Sequence, residues 1–192
     1  MKIAYLVKSS TAHTSPDFNI RSIASTSGRF DLILRSILSA FSMPNRFKGM
    51  IKFYALLEGP PSPPLVIEID GNRVSSLPES EIDLCEILID AMRGRKFPGI
   101  KLYKLDFRKL VTNLIREFKP IYLVEDGSPI QEFNFNRKVN YLFILGDQKG
   151  LCVEQERFLN NVNATRISLG PVSYLTSQCI TLVNYFFFKK IT

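Results

Sequence analysis

The sequence predicts an α/β fold organised around a largely parallel sheet. Two observations lead there. Apolar runs of strand length alternate with segments of helical period along the chain. The composition, 45% hydrophobic over 192 residues, is that of a globular chain able to bury a sizeable core. The length fits one domain spanning the whole chain.

The elements read in order as follows. Lys2 to Val7 is a first strand. Lys8 to Arg29 is rich in Ser, Thr, Pro and Gly and reads as a long loop with room for a short helical turn. Phe30, Ile33, Leu34, Ile37, Leu38 and Phe41 share one face of a 3.6-residue period, with Arg35 and Ser36 off it, and Pro44 stops that helix. Ile51 to Leu57 is a strand ended by a stiff GPPSPP turn; Leu65 to Ile69 is the next, followed by the hairpin signal Asp70-Gly71. A second helix opens at Pro78-Glu79 and runs to about Met92. Ile100 to Tyr103 is a short strand. Phe107, Leu110, Val111, Leu114, Ile115 and Phe118 mark a third helix. Ile121 to Val124, Tyr141 to Leu145 and Ala164 to Leu169 are three further strands, with a short helix from Glu154 to Leu159 between the last two. The final helix spans about Thr176 to Phe187, with Cys179, Leu182, Val183 and Phe186 on its buried face.

Charge narrows the function. Lys and Arg total 25 against 18 acidic residues, a net charge of +7, which suits a polyanionic partner such as nucleic acid. Cys85, Cys152 and Cys179 form no CxxC pair and no metal-ligand spacing, so a reducing cytoplasm and no metal site are expected. The apolar tail from Cys179 to Phe188 is about half a membrane span, so no membrane partner is expected.

Three loops stand where ligands bind in open parallel sheets, beyond the carboxyl ends of strands: Glu125-Asp126-Gly127, Gly146 to Gly150, and Leu169-Gly170-Pro171. No phosphate loop or GxGxxG occurs, and His13 is the one histidine. That inventory excludes a histidine triad and favours group transfer from a reactive cofactor, where the protein supplies positioning.

Five collinear segments then give a resemblance. SGRFDLILRSILSAF (Ser27 to Phe41), IKFYALLEGPPSPPLVIEIDG (Ile51 to Gly71), PGIKLYKLDFRKLV (Pro98 to Val111), FILGDQKGLCVEQERFL (Phe143 to Leu159) and RISLGPVSYLTSQCIT (Arg166 to Thr181) resemble, in order, segments of the archaeal TrmY family of the SPOUT superfamily. The resemblance implies an α/β fold whose part from about 120 to 192 forms a deep trefoil knot, and a homodimer. It further implies S-adenosylmethionine as cofactor and N1-methylation of the pseudouridine at tRNA position 54. Carried over by position, the cofactor pocket would use Leu123, Gly146, Ile167, Ser168, Leu169, Gly170, Pro171, Val172 and Cys179. Asp31 is the candidate acceptor of the N1 proton, though an Asp at a helix start is also an ordinary dipole partner. Arg29, Arg35 and Arg108 are the candidate RNA contacts, with Lys8, Arg21, Arg46 and Lys48 widening the basic face. The chain departs from the family pattern where Gln148, Leu175 and Gln178 stand in place of histidines. A SPOUT enzyme acting on ribosomal RNA and a non-catalytic RNA-binding protein are the alternatives.

Overall fold

The computed structural model describes residues 1–191. Seven strands form one sheet: β1 (Ile3–Ser9), β2 (Ile51–Leu57), β3 (Leu65–Asp70), β4 (Ile100–Tyr103), β5 (Lys119–Pro129), β6 (Tyr141–Gly146) and β7 (Thr165–Ser168), in the order β4-β3-β2-β1-β6-β5-β7. The sheet is mostly parallel and mixed. β2-β1-β6-β5-β7 run parallel, and β3 and β4 continue it antiparallel at one edge. β1, β2 and β6 are nearly continuous apolar runs because both of their faces are covered.

The pleat divides the core in two. Ile3, Tyr5 and Val7 point to one face, packed by α2 (Phe30–Phe41), α4 (Glu81–Met92) and α7 (Thr176–Ile191), while Ala4 and Leu6 point to the other, packed by α5 (Phe107–Leu114) and α6 (Val153–Asn161). The long loop after β1 holds a 3-10 turn at Ile20–Ser22 and the short α1 (Ile23–Thr26). It is stitched to the GPPSPP turn by Gly59 N–H to Ala12 O at 3.1 Å and Thr14 N–H to Pro60 O at 2.7 Å.

Several expectations are corrected. Ser36 is fully buried, its hydroxyl donating to Leu32 O at 2.7 Å, so it lies on the packed face of α2. After Pro44 the chain forms a further short helix, α3 (Asn45–Lys48). Asp70-Gly71 does not close a hairpin, because α4 intervenes before β4 returns to pair with β3. The second helix begins at Glu81, where Ser80 caps it by accepting the Asp83 N–H at 3.1 Å. The third helix ends at Leu114, and Phe118 reaches the core from a turn instead. The buried residues of α7 are Thr176, Ile180, Val183, Asn184, Phe187 and Phe188; Cys179, Leu182 and Phe186 are half-buried beside them.

Asn184 joins α7 to α2 and β1. Its Oδ1 accepts the Tyr5 phenol at 2.7 Å, and its Nδ2 donates to Ser39 O at 3.0 Å and Ala40 O at 3.3 Å. Those two carbonyls belong to the last turn of α2, where intrahelical partners run out.

Candidate cofactor site

A cavity of about 610 Å³ opens beyond the carboxyl ends of β5, β6 and β7, against the start of α7. Its size suits a nucleoside-bearing cofactor. Each of the three glycine-bearing loops contributes to it, together with Leu32 of α2 and Glu156 of α6.

The β6 loop turns tightly because a Cβ on Gly146 would stand 2.6 Å from the backbone of Gly150. Its glycine thus permits the turn, and the same residue lines the cavity. Asp147 then anchors the loop to β1: its carboxylate accepts the Ser10 N–H at 2.6 Å and the Lys149 N–H at 2.9 Å. Thr176, at the first position of α7, donates its hydroxyl to Gly146 O at 3.0 Å and fixes the helix to the end of β6.

The β5 wall is a bulge. Leu123 and Ser128 both pair with Ile167 of β7, so Val124 to Gly127 leave the sheet and return to the same partner. That excursion carries Glu125 and Asp126 to the cavity, and Arg166 of β7 donates to Asp126 Oδ1 at 2.5 Å. Deeper in, the Tyr122 phenol donates to Glu156 Oε1 at 2.7 Å; burial and the Glu156 carboxylate both push its pKa up, so it stays a donor.

Six of the sequence-derived cofactor residues meet in this lining: Leu123, Gly146, Leu169, Gly170, Val172 and Cys179. Ile167 and Ser168 are buried behind it, and Pro171 is outside it. Ser168 shapes the wall, since its hydroxyl accepts the Gly170 N–H at 3.1 Å. Cys179 is a neutral thiol: burial, then the nearby Glu125 charge, pushes its pKa up to about 11. Leu175 lines the cavity, while Gln178 accepts the Leu175 N–H at 2.9 Å and so caps α7. Sequence reasoning missed Tyr122, Glu156 and Arg166, which read as ordinary strand and helix positions.

Asp31 lies outside the lining, next to Leu32. Arg29 grips it with two hydrogen bonds at 2.9 and 3.1 Å, and Arg35 pairs with the same carboxylate from one turn on. Burial raises its pKa, but the hydrogen bonds and charges of Arg29 and Arg35 together outweigh that, and the net shift is downward. Arg108 sits on α5, across the sheet, with its guanidinium 5.8 Å from the Phe158 ring. The structure thus brings Arg29 and Arg35 together and leaves Arg108 on the opposite face. Lys8 is buried and paired with Glu58 at 3.3 Å, which removes it from the basic surface expected of it. Among the described residues no group of three or more His, Cys, Asp or Glu side chains is gathered to hold a metal ion, and no helix is long and apolar enough to cross a membrane.

Residues 2–190 match the family model described as "Putative SAM-dependent RNA methyltransferase". The chain belongs to this family. Among its relatives is a tRNA (pseudouridine(54)-N(1))-methyltransferase of Thermococcus onnurineus, 32% identical over 95% of each chain. Another, of the same name, is from Pyrococcus abyssi, 34% identical over 95% of each chain. The fold is that of Archaeoglobus fulgidus Nep1, described as bound to S-adenosylhomocysteine, with a TM-score of 0.71, 14% identity, and 100% of this chain and 99% of that one covered. S-adenosylmethionine is the cofactor of the family, and the cavity fits it. Leu123, Leu169 and Val172 give the lining apolar surface, and the carboxylates on the β5 side suit a ligand whose sulfonium and ammonium outweigh its one carboxylate.

Proposed function

We propose that this protein methylates N1 of the pseudouridine at position 54 of tRNA. The observation that carries the reading is the pair of relatives named for that reaction, which match over 95% of this chain. The cavity at the ends of β5, β6 and β7 supports it. When bound, S-adenosylmethionine supplies an electrophilic methyl group.

The protein's own residues then bind, orient and exclude water. Leu123, Leu169 and Val172 hold the adenine, the Ser168 to Gly170 turn, closed on itself by the Gly170 N–H to Ser168 hydroxyl bond, shapes the wall beside the nucleoside, and Cys179 packs against it as an uncharged thiol. The ring N–H of N1 needs only to lose its proton as the N–C bond forms, so no covalent adduct to the enzyme is required. Asp31 is held by two arginines with its pKa lowered, which makes it a weak base. In this reading it aims Arg29 and Arg35 at RNA phosphates, and the N1 proton leaves through water. Arg108 takes a separate backbone contact from the other face.

The reading includes one domain over residues 1–192, a trefoil knot within about 120–192, a cytoplasmic location and a homodimer. Support for the dimer is the exposed apolar side chains on and just before α7: Val172 is 56% exposed, Leu175 59% and Tyr185 54%, with half-buried Leu182 and Phe186 on the same helix.

Incubating tRNA and, separately, ribosomal RNA with methyl-labelled cofactor, followed by nucleoside mass analysis, tests the proposal. Label in N1-methylpseudouridine at position 54 supports it; label in ribosomal RNA alone, or in neither RNA, overturns it.

A further inference from the structure

Strand β1 is buried from end to end, and Lys8 is its one charged residue. The side chain of Lys8 is 6% exposed. An ammonium taken out of water is costly unless it is paired. Lys8 stands in register with Leu56 of β2 and Gly146 of β6, at the end of the sheet where the cavity opens. Its Nζ lies 3.3 Å from Glu58 Oε2 and donates to Ser10 Oγ at 2.7 Å.

Both partners lead on to the same loop. Ser10 donates its hydroxyl to Asp147 Oδ1 at 3.3 Å and its amide to Asp147 Oδ2 at 2.6 Å, where the chain leaves β6. Glu58 Oε1 accepts from Gln155 Nε2 at 3.0 Å, and Gln155 Oε1 accepts the Cys152 N–H at 3.1 Å, where α6 begins. One buried ammonium therefore ties down both ends of the segment from Asp147 to Gln155. Asp147, Gln148 and Gly150 of that segment line the cavity, and so does Glu156, the residue after it. Asp147 and Gln155 are themselves buried, so water does not readily replace a lost partner at either end.

We propose that Lys8 is a positioning residue for the cofactor: it lies outside the lining and, through Ser10 and Glu58, sets the Asp147 to Gln155 loop in the shape that receives S-adenosylmethionine. The inference rests on the methyltransferase reading above. A buried ion pair serving stability alone does no better than an apolar pair of the same volume. What an apolar pair at Lys8 and Glu58 would lack is a hold on Ser10 and Gln155, and hence on the two ends of the loop.

Calorimetric binding of S-adenosylmethionine and amide hydrogen exchange test this on the wild type, Ser10→Ala, Ser10→Thr and Lys8→Met. Ser10→Ala keeps the backbone amide on Asp147 and removes only the hydroxyl link. It is expected to weaken cofactor binding about threefold to tenfold and to speed exchange at the Lys149 and Gly150 amides, which Asp147 holds, by a similar factor. The amides of β2 should exchange as in the wild type. Ser10→Thr keeps the hydroxyl and is expected to bind the cofactor within about twofold of the wild type. Lys8→Met is expected to weaken binding about tenfold or more, and Ser10→Ala added to it to cost less than about twofold further, because the link is already cut. The Ser10 variants leave the buried ion pair in place and so stand even if Lys8→Met is poorly folded. Cofactor affinity unchanged in Ser10→Ala, Ser10→Thr as weak as Ser10→Ala, exchange speeded in β2 as much as in the loop, or multiplying effects in the double variant would overturn the assignment while leaving the methyltransferase reading intact. A wild type that binds no S-adenosylmethionine would overturn both.

Discussion

Gly127 of β5 lies flat against Ile167 of β7: a Cβ on the glycine would stand 2.6 Å from the Ile167 carbonyl carbon and 2.7 Å from its nitrogen. No side chain can be added there without moving one of the two strands. The β5 bulge, and with it the acidic wall of the cavity, depends on that contact. Gly127→Ala is expected to shift the bulge, lowering stability by about 1–3 kcal/mol as overpacking typically does, and to lower S-adenosylmethionine affinity by about tenfold. Calorimetry checks the affinity, and a thermal melt checks the overpacking, which should lower Tm by about 2–10 °C.

Asn184 carries a different load. Replacing it with leucine keeps the branching of the side chain but leaves the Tyr5 phenol and the Ala40 carbonyl without the Asn184 partner, while the Ser39 carbonyl keeps only the Ser42 hydroxyl, at 2.9 Å. Such losses cost about 1–3 kcal/mol each at most, and relaxation shares them, so a net loss of about 2–3 kcal/mol is expected. For a chain of this size that is a fall in Tm of about 5–10 °C. Cofactor affinity in the folded fraction should not change.

Asp31 separates positioning from proton transfer. Asp31→Asn removes the charge that holds Arg29 and Arg35 while keeping the shape. If the carboxylate aims those arginines, KM for tRNA rises about tenfold with kcat within about threefold; if it takes the N1 proton, kcat falls by about 100-fold or more. The same pair sets an acid sensitivity. Its folded pKa is lowered, so the stabilisation it gives is complete above the ordinary carboxylate value of about 3.9 and is lost as pH falls through the lower folded value. Urea unfolding should show the wild type more stable than Asp31→Asn at pH 7, with the gap closing as the solution is acidified below about pH 4.

Burial pushes the Cys179 thiol up to about 11, which keeps it protonated in the neutral range. Cys179→Ala is expected to retain methyl transfer within about tenfold, whereas a thiolate nucleophile would lose nearly all of it. Iodoacetamide at pH 8 should label the exposed Cys152 well before Cys179.

The sequence made some elements legible and hid others for local reasons. Strand β2 is legible to the residue and helix α2 in outline, because an unbroken apolar run and a helical period are local signals, while the buried Ser36 carries no apolar mark. The bulge was not. Val124-Glu125-Asp126-Gly127 reads as a strand end and a turn, and only the pairing of Ser128 with Ile167, far away in the chain, makes it an excursion within one strand. The face of α7 was misread by one position because Tyr185 to Phe188 are all aromatic and carry no period. Glycine marked the three loops that meet at the cavity. The polar side chains Tyr122, Glu156 and Arg166 had no such mark, since their partners come from other elements.

The most direct test of the account uses two T-arm transcripts that differ at one position, pseudouridine or uridine at 54, with methyl-labelled S-adenosylmethionine. Uridine has no N–H at the ring position where pseudouridine carries N1–H. The account predicts label in the pseudouridine transcript only; equal label in both, or none in either with cofactor binding intact, would contradict it.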